Sequence, residues 1–197
     1  MATIKGFIHY CQIRNPGLKW ESTDKHWSVQ VEVTEKTMKA FKKQCPASKD
    51  AIKEYTTAEF KKQFKCDPQA APADSDEHYV IRIKQDCTIN GKPFENAPKV
   101  VMKNDKGKLE DITKKTDVGN GSEGVVQFNI YESKKWKTKS AKLANVRVDN
   151  LIPYEGGGSD LSELGEMDEE SFEDLEEDED DAPFEPDEED GEDPEEY

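Results

Sequence analysis

Residues 26–34 of the chain, HWSVQVEVT, decide the fold, because apolar and polar side chains alternate through them without interruption. A period of two residues is the period of a β-strand, in which successive side chains point to opposite faces. One face carries Trp27, Val29, Val31 and Val33, and the other carries Ser28, Gln30 and Glu32. The stretch therefore predicts a strand with one buried face and one solvated face.

The same alternation recurs in three later stretches, YVIRIKQD (79–86), VVQFNIY (125–131) and AKLANVRVDNLI (141–152). We expect the apolar positions of each stretch to face the core. These positions are Tyr79, Ile81, Ile83, Val126, Phe128, Ile130, Ala144, Val146 and Val148. Residues 3–13 and 98–104 predict two further strands, and the turn residues of NDKGK (104–108) favour a hairpin after the second. The prediction is thus of about six strands.

Helical spacing replaces the alternation in EKTMKAFKKQ (35–44) and KDAIKEYTTAEFKKQF (49–64), and we expect Pro46 to separate two helices. Several short strands with one helical insertion are typical of a small antiparallel barrel, because a parallel sheet needs a helix after most of its strands. We therefore predict a mostly β fold, an OB-fold-like antiparallel barrel with a helical insertion. A β-sandwich is the alternative architecture.

Charge divides the chain at residue 155. Residues 155–197 hold 24 Asp and Glu and no Lys or Arg, whereas residues 1–154 hold 20 acids and all 28 bases. We call residues 1–154, of formal charge +8, the head, and residues 155–197, of charge −24, the tail. The head has the length of one domain, and the acidic, Pro-containing composition predicts a disordered C-terminal tail. A basic head favours a polyanionic partner for which the tail competes, and a merely solubilising tail is the alternative.

The remaining motifs point away from catalysis, cofactors and membranes. GNGSEG (119–124) matches the dinucleotide pattern G-x-G-x-x-G, but a predicted strand rather than a helix follows it, so we expect a loop. The His residues and Cys11, Cys45, Cys66 and Cys87 lack zinc-site spacing, which favours free thiols in a reducing compartment and no metal. No apolar run reaches the ~18 residues that span a bilayer. We expect a protein without enzymatic activity and without a cofactor.

Aromatic and basic residues lie together in IYESKKWKTKSAK (130–142). Unpaired bases stack on aromatic rings and phosphates attract cations, so this composition favours a site for single-stranded nucleic acid. The candidate residues are Tyr131, Lys134, Lys135, Trp136, Lys137 and Lys139, joined by Arg82, Lys84 and Arg147 on the polar faces of other strands and by Trp20. An ordinary Lys-rich hairpin whose Trp136 packs into the core is the alternative.

In their order and spacing these segments resemble the single-stranded DNA-binding proteins of short-tailed bacteriophages related to the T-odd coliphages. The resemblance covers most of the chain and depends on no single motif. It runs through HWSVQVEV (26–33), VVMKNDKGKLEDI (100–112), GNGSEGVVQFNIY (119–131), SKKW (133–136) and the acidic tail with its terminal aromatic residue.

The resemblance implies an OB-fold homodimer that coats and protects single-stranded DNA during phage replication, recombination and repair and favours annealing of complementary strands, in the cytoplasm of the infected bacterium. It also implies a tail that occupies the DNA groove and contacts the phage DNA polymerase and helicase-primase. The apolar tail residues here are Phe172, Phe184 and Tyr197, and Tyr197 stands where family members usually carry Phe. The alternative function is a protein-only interaction module, such as an acidic chaperone or a DNA mimic.

Overall fold

Strands make up most of the structure, a computed structural model that describes residues 1–18, 24–89, 92–104 and 106–154. Trp20 and the tail, with its predicted disorder, lie outside the described residues. The elements in chain order are β1 (Ala2–Leu18), β2 (Lys25–Val33), α1 (Glu35–Gln44), a 3₁₀ helix (Pro46–Ala51), β3 (Ile52–Tyr55), α2 (Thr57–Phe64), β4 (His78–Asp86), β5 (Thr88–Ile89), β6 (Lys92–Pro93), β7 (Lys99–Lys103), β8 (Leu109–Asp111), β9 (Ser122–Glu132) and β10 (Lys139–Asn150).

Within the described ranges, eight of these strands form one sheet in the order β3-β4-β2-β1-β9-β10-β7-β8, and β5 pairs with β6 in a separate hairpin. Neighbouring strands of the sheet run antiparallel, except that β7 and β10 are parallel. The helices lie between β2 and β4. The predicted mostly β fold with a helical insertion is therefore confirmed, and the six predicted strands correspond to β1, β2, β4, β7, β9 and β10.

β2 is buried on both faces, which differs from the prediction of one solvated face. Val29, Val31 and Val33 lie in the main core, as their alternation predicts. On the opposite face Ser28 and Glu32 are also buried. At Glu32 the reason is a second apolar cluster on the outside of the sheet, formed by Phe60, Phe64 and Val80, the cross-strand partner of Glu32. Ser28 instead donates to Gln12 Oε1 at 2.9 Å.

The segment predicted as one helix over 49–64 is divided into three elements. Its first residues form the end of the 3₁₀ helix, residues 52–55 form β3, which pairs antiparallel with β4, and only Thr57–Phe64 is α-helical. Thr56 ends the strand and caps α2, because its hydroxyl accepts from Glu59 N–H while the Glu59 carboxylate accepts from Thr56 N–H. Pairing with β4 therefore overrides the helical spacing of Ile52 and Tyr55. The predicted break at Pro46 is confirmed.

The glycine-rich loop at 119–121 leads directly into β9, as predicted. Gly121 has a φ of +87°, a conformation that favours glycine, and its N–H donates to the carbonyl of Ile8. Gly124 lies where β9 meets β10 so closely that a Cβ would stand 2.3 Å from the carbonyl oxygen of Arg147. Backbone packing therefore accounts for these glycines without a phosphate ligand.

Two of the predicted core positions near the β9–β10 hairpin are wrong. Ile130 is 37% exposed, because β9 extends beyond the core towards the hairpin turn. A register irregularity between Leu143 and Asn145 shifts the alternation of β10, so that Leu143 is buried and Ala144 is only half-buried. The predicted core positions Val146 and Val148 are confirmed.

The sheet curls towards a barrel that stays open along one side. No hydrogen-bonded pairing joins β4 to β10 in the described part of the chain. A polar contact spans this gap, since Lys142 Nζ lies 3.6 Å from Asp86 Oδ2. The neighbouring Ala141 N–H donates to Ser48 Oγ of the 3₁₀ helix at 3.0 Å. We call the gap between residues 82–86 of β4 and residues 139–142 of β10 the open seam.

Candidate functional site

A groove of about 580 Å³ lies on the outer face of β2 and β4, beside the open seam. OB-folds commonly bind oligonucleotides on their second and third barrel strands and on the loop that joins the last two. In this chain those parts are β2, β4 and the β9–β10 hairpin. The side chains that give the groove its chemistry are Gln30, Lys53, Tyr55, Arg82, Lys84, Ser140 and Lys142, with Asp50 as an acidic member.

Three cations of the groove have no carboxylate partner among the described residues, namely Lys53, Arg82 and Lys84. Partial burial lowers the pKa of the Lys84 ammonium, and the positive charge of Arg82 lowers it further. The carboxylate of Asp86 offsets part of this effect on Lys84, but the charges of Arg82 and Lys53 still oppose the ammonium, so an anionic ligand that enters the groove relieves their repulsion.

Arg82 has donors to spare for such a ligand. Its Nη2 lies 3.3 Å from Nε2 of His26, the neighbouring buried residue on β2. Its Nε is buried and makes no hydrogen bond within the described ranges. The buried Nε is not accessible to a ligand in this conformation, so the part of Arg82 that suits a phosphate is its charged Nη end, which lines the groove.

Tyr55 supplies an aromatic ring at the edge of the groove. It is half-buried and packs edge-on against Phe64, with ring centroids 5.5 Å apart. Burial raises the pKa of its hydroxyl, so the ring is a neutral phenol at physiological pH. Contacts with the outer apolar cluster restrict the ring. It therefore loses little side-chain entropy when it contacts a ligand.

The β9–β10 hairpin carries exposed aromatic residues and lysines beyond the groove. Tyr131 is 57% exposed and Trp136 is 69% exposed. Ser133 and Thr138 close the hairpin by a backbone hydrogen bond, and Lys135 Nζ lies 4.8 Å from the centroid of the Trp136 ring. The alternative in which Trp136 packs into the core is wrong. The ring stands in solvent beside a cation, an arrangement that suits stacking of an unpaired base.

The register of the hairpin connects Tyr131 to the groove. Tyr131 is the cross-strand partner of Ser140, and directly opposed residues of an antiparallel pair share a face. Ser140 lines the groove, so the Tyr131 ring lies on the face that continues it. Exposed lysines without a carboxylate partner in the described part of the chain surround the hairpin: Lys134, Lys135, Lys137 and Lys139.

Solved structures similar to this chain include three of phage proteins. Gp2.5, a single-stranded DNA-binding protein encoded by bacteriophage T7, is 16% identical, with a TM-score of 0.44 over 85% of this chain and 94% of that chain. A C-terminally truncated single-stranded DNA-binding protein from bacteriophage Enc34 is 15% identical, with a TM-score of 0.43 over 77% and 87%. The Enc34 protein in complex with single-stranded DNA is 14% identical, with a TM-score of 0.40 over 77% and 88%.

The chain is thus similar to phage single-stranded DNA-binding proteins, the family that its sequence resembles. This similarity is distant, and no residue of the groove is assigned a role from it. No protein-family profile and no curated protein matches the sequence.

The structure does not bring every predicted site residue to the groove. Arg147 forms a bidentate ion pair with Asp149, with nitrogen–oxygen distances of 2.8 and 3.1 Å. It lines a separate concavity with Lys99 and exposed Leu109, on another part of the surface. Its guanidinium is already neutralised, so we no longer include it among the groove residues.

Lys53 and Tyr55 line the groove but are absent from the predicted site. Helical spacing predicted a helix for their segment, and a helix at this point would not place them beside Arg82 and Lys84. The β-branched Ile52 followed by alternating Lys53, Glu54 and Tyr55 is a weak strand signal that could have indicated them.

Neither a metal site nor a membrane span is seen among the residues that the structure describes. No group of three or more His, Cys, Asp or Glu in those ranges is arranged to hold a metal ion. No helix there is long and apolar enough to cross a bilayer. Cys11, Cys45 and Cys66 carry free thiols, and burial raises the pKa of each.

Proposed function

We propose that the head binds single-stranded DNA with little sequence preference. The observation that carries this proposal is a groove of unneutralised cations, Lys53, Arg82 and Lys84, next to a hairpin that exposes Tyr131 and Trp136. Phosphates are bound by the cations and unpaired bases stack on the rings. Stacking makes the binding tolerant of sequence, because every base presents an aromatic face.

A double-stranded ligand fits this arrangement less well. Bases inside a duplex are stacked on each other and cannot lie on an exposed tryptophan, so the aromatic rings would contribute nothing. The hairpin and the groove are therefore expected to favour single strands over duplex of the same charge. The choice between DNA and RNA depends on contacts with the 2′-hydroxyl, and we propose DNA because the sequence resembles phage DNA-binding proteins.

We further propose that the tail competes with DNA for the groove. A segment of charge −24 tethered to a head of charge +8 has a high effective concentration at the basic surface. DNA then releases the tail, whose apolar residues Phe172, Phe184 and Tyr197 engage other replication proteins, namely the phage DNA polymerase and helicase-primase. This role belongs to DNA replication, recombination and repair in the infected bacterial host, with the protein acting as a homodimer.

Binding of a fluorescent oligo-dT to the full chain and to residues 1–154, each over a series of salt concentrations, tests the proposal. The isolated head is expected to bind more tightly at low salt, with a log–log slope of about −0.7 per phosphate contacted. The full chain is expected to show a flatter slope, because salt also loosens the tail. Equal binding by both proteins would exclude competition by the tail. Absence of binding by both would exclude the DNA-binding function and favour a protein-only interaction module.

A further inference from the structure

One cation of the groove is already paired with a carboxylate. Lys142 on β10 lies across the open seam from Asp86, the last residue of β4, with Nζ and Oδ2 3.6 Å apart. Lys142 lines the same groove as Arg82 and Lys84. The Lys142 ammonium therefore lies on the proposed path of the phosphates, but it is paired with a carboxylate of the protein itself.

The pair is placed where exchange with a ligand is easy. The Lys142 and Asp86 side chains are 41% and 36% exposed, so water and ions reach both partners. Exposed lysine–carboxylate pairs are weak and are screened by salt. A phosphate that enters the groove can replace Asp86 as the partner of Lys142 without opening the core.

We infer that Asp86 is a built-in competitor that lowers the affinity of the groove for phosphate by holding Lys142 across the open seam. This inference rests on the proposed function. It concerns a residue of the head and is independent of the tail, because it depends on the carboxylate of Asp86 and the groove cations that it faces, Lys142 by an ion pair and Lys84 through its charge. Asp86 thereby limits the affinity for phosphate of a groove whose other cations have no carboxylate partner among the described residues.

A second acid of the groove provides a matched comparison. Asp50 lines the groove directly, whereas Asp86 lies beside it at the open seam. The Asp50 carboxylate has no ion-pair partner among the described residues. Removing its charge makes the groove more positive without releasing Lys142. The two acids therefore separate a general change of potential from the loss of a specific competitor.

The experiment measures oligo-dT affinity of full-length Asp86→Asn over a salt series, alone and combined with Lys142→Gln. We expect Asp86→Asn to bind about two- to fivefold more tightly at low salt, the range that corresponds to an exposed ion pair. Its salt dependence is expected to be steeper, because salt no longer frees Lys142 from a competitor. In the Lys142→Gln background the gain is expected to be clearly smaller, with only the effect of Asp86 on Lys84 remaining. Asp50→Asn, by contrast, is expected to gain equally with and without Lys142.

The controls distinguish this inference from the proposed function. Glu123→Gln removes a carboxylate of similar exposure that is paired with Lys5 outside the groove, and is expected to leave the affinity unchanged. If the unmodified chain does not bind oligo-dT, the proposed function fails and this inference fails with it. If the unmodified chain binds and Asp86→Asn does not bind more tightly, or gains equally without Lys142, only the inference is overturned. Asp86→Ser and a thermal unfolding curve for each variant show whether a loss of folding has hidden the effect.

Discussion

Tyr131 and Ser140 stand directly opposite each other on β9 and β10, so the exposed tyrosine ring shares a face with a residue that lines the basic groove. The pairing places an aromatic platform and a row of cations on one continuous surface. The hairpin is thereby an extension of the groove, and under the proposed function its length adds to the number of nucleotides that the head can contact.

Removal of the hairpin aromatics is expected to weaken binding of single strands. Tyr131→Ala and Trp136→Ala are each expected to cost about 1–3 kcal/mol in oligo-dT affinity, the range measured for base–aromatic stacking. Fluorescence titration at fixed salt measures the loss. Tyr154→Ala is the matched control, since Tyr154 is a similarly exposed ring that lines a separate pocket with Tyr10. An unchanged affinity of the variant that combines Tyr131→Ala with Trp136→Ala would contradict the stacking role.

Removal of the groove cations is expected to reduce the salt dependence as well as the affinity. Arg82→Gln and Lys84→Gln should each lower the magnitude of the log–log salt slope by about 0.7, because each removes one phosphate contact. Arg147→Gln is expected to change neither quantity, since its guanidinium is paired with Asp149 away from the groove. Equal effects of all three substitutions would mean that only the net charge of the head matters.

The buried Glu32 is expected to stabilise the packing of the segment after α2 against the outer face of β2. Its carboxylate accepts from the backbone N–H groups of Gln69 and Ala70, each at 2.8 Å, and lies 3.4 Å from His9 Nε2. Glu32→Ala removes the acceptor of these two backbone N–H groups and the polar partner of buried His9, and we expect a loss of about 1–3 kcal/mol in the free energy of unfolding. Urea denaturation measures it. Glu123→Ala, which breaks the exposed pair with Lys5, is expected to cost no more than about 1 kcal/mol.

Acid is expected to loosen the N-terminal end of α2. Hydrogen bonds from Thr56 lower the pKa of Glu59, and hydrogen bonds from Thr57 lower the pKa of Asp76. Because both pKa values are depressed in the folded state, the stabilisation is complete above the unfolded values of about 4 and is lost as the pH falls through the folded values. Urea denaturation between about pH 3 and pH 6 measures this dependence. This range extends about one unit or more on either side of the unfolded pKa of about 4.

The variant Glu59→Gln combined with Asp76→Asn is the control for the acid dependence. Both substitutions keep side chains of similar size but remove the groups that titrate. The slope of unfolding free energy against pH is expected to be smaller in this variant below about pH 5, where the carboxylates begin to bind protons. A slope equal to that of the unmodified chain would show that other carboxylates govern the acid dependence.

Alternation of apolar and polar residues was sufficient to predict the barrel strands. Val29, Val31 and Val33 lie in the core because a period of two residues leaves no other regular structure that buries all three. The exposed Tyr131 and the placement of Arg82 and Lys84 on the outer face follow from the same periodicity. These features depend on local geometry, which is why the sequence alone indicated them.

Features that depend on distant contacts were not predictable in this way. β3 is a strand because its residues pair with β4, and Glu32 is buried because α2 and the segment after it cover that face. Leu143 rather than Ala144 faces the core because of a register irregularity that no local sequence pattern indicates. Lys53 and Tyr55 were missed for the same reason, since their position in the groove results from the β3–β4 pairing.

The position of the groove on the outer face of β2 and β4 has a topological consequence for the proposed ligand. The interior of a small barrel is filled by side chains, so a polymer binds on the outside and need not be threaded from one end. Under the proposed function, the head can therefore bind within a single-stranded gap of a long chromosome, where neither terminus is available, and can leave without reaching the end of the strand.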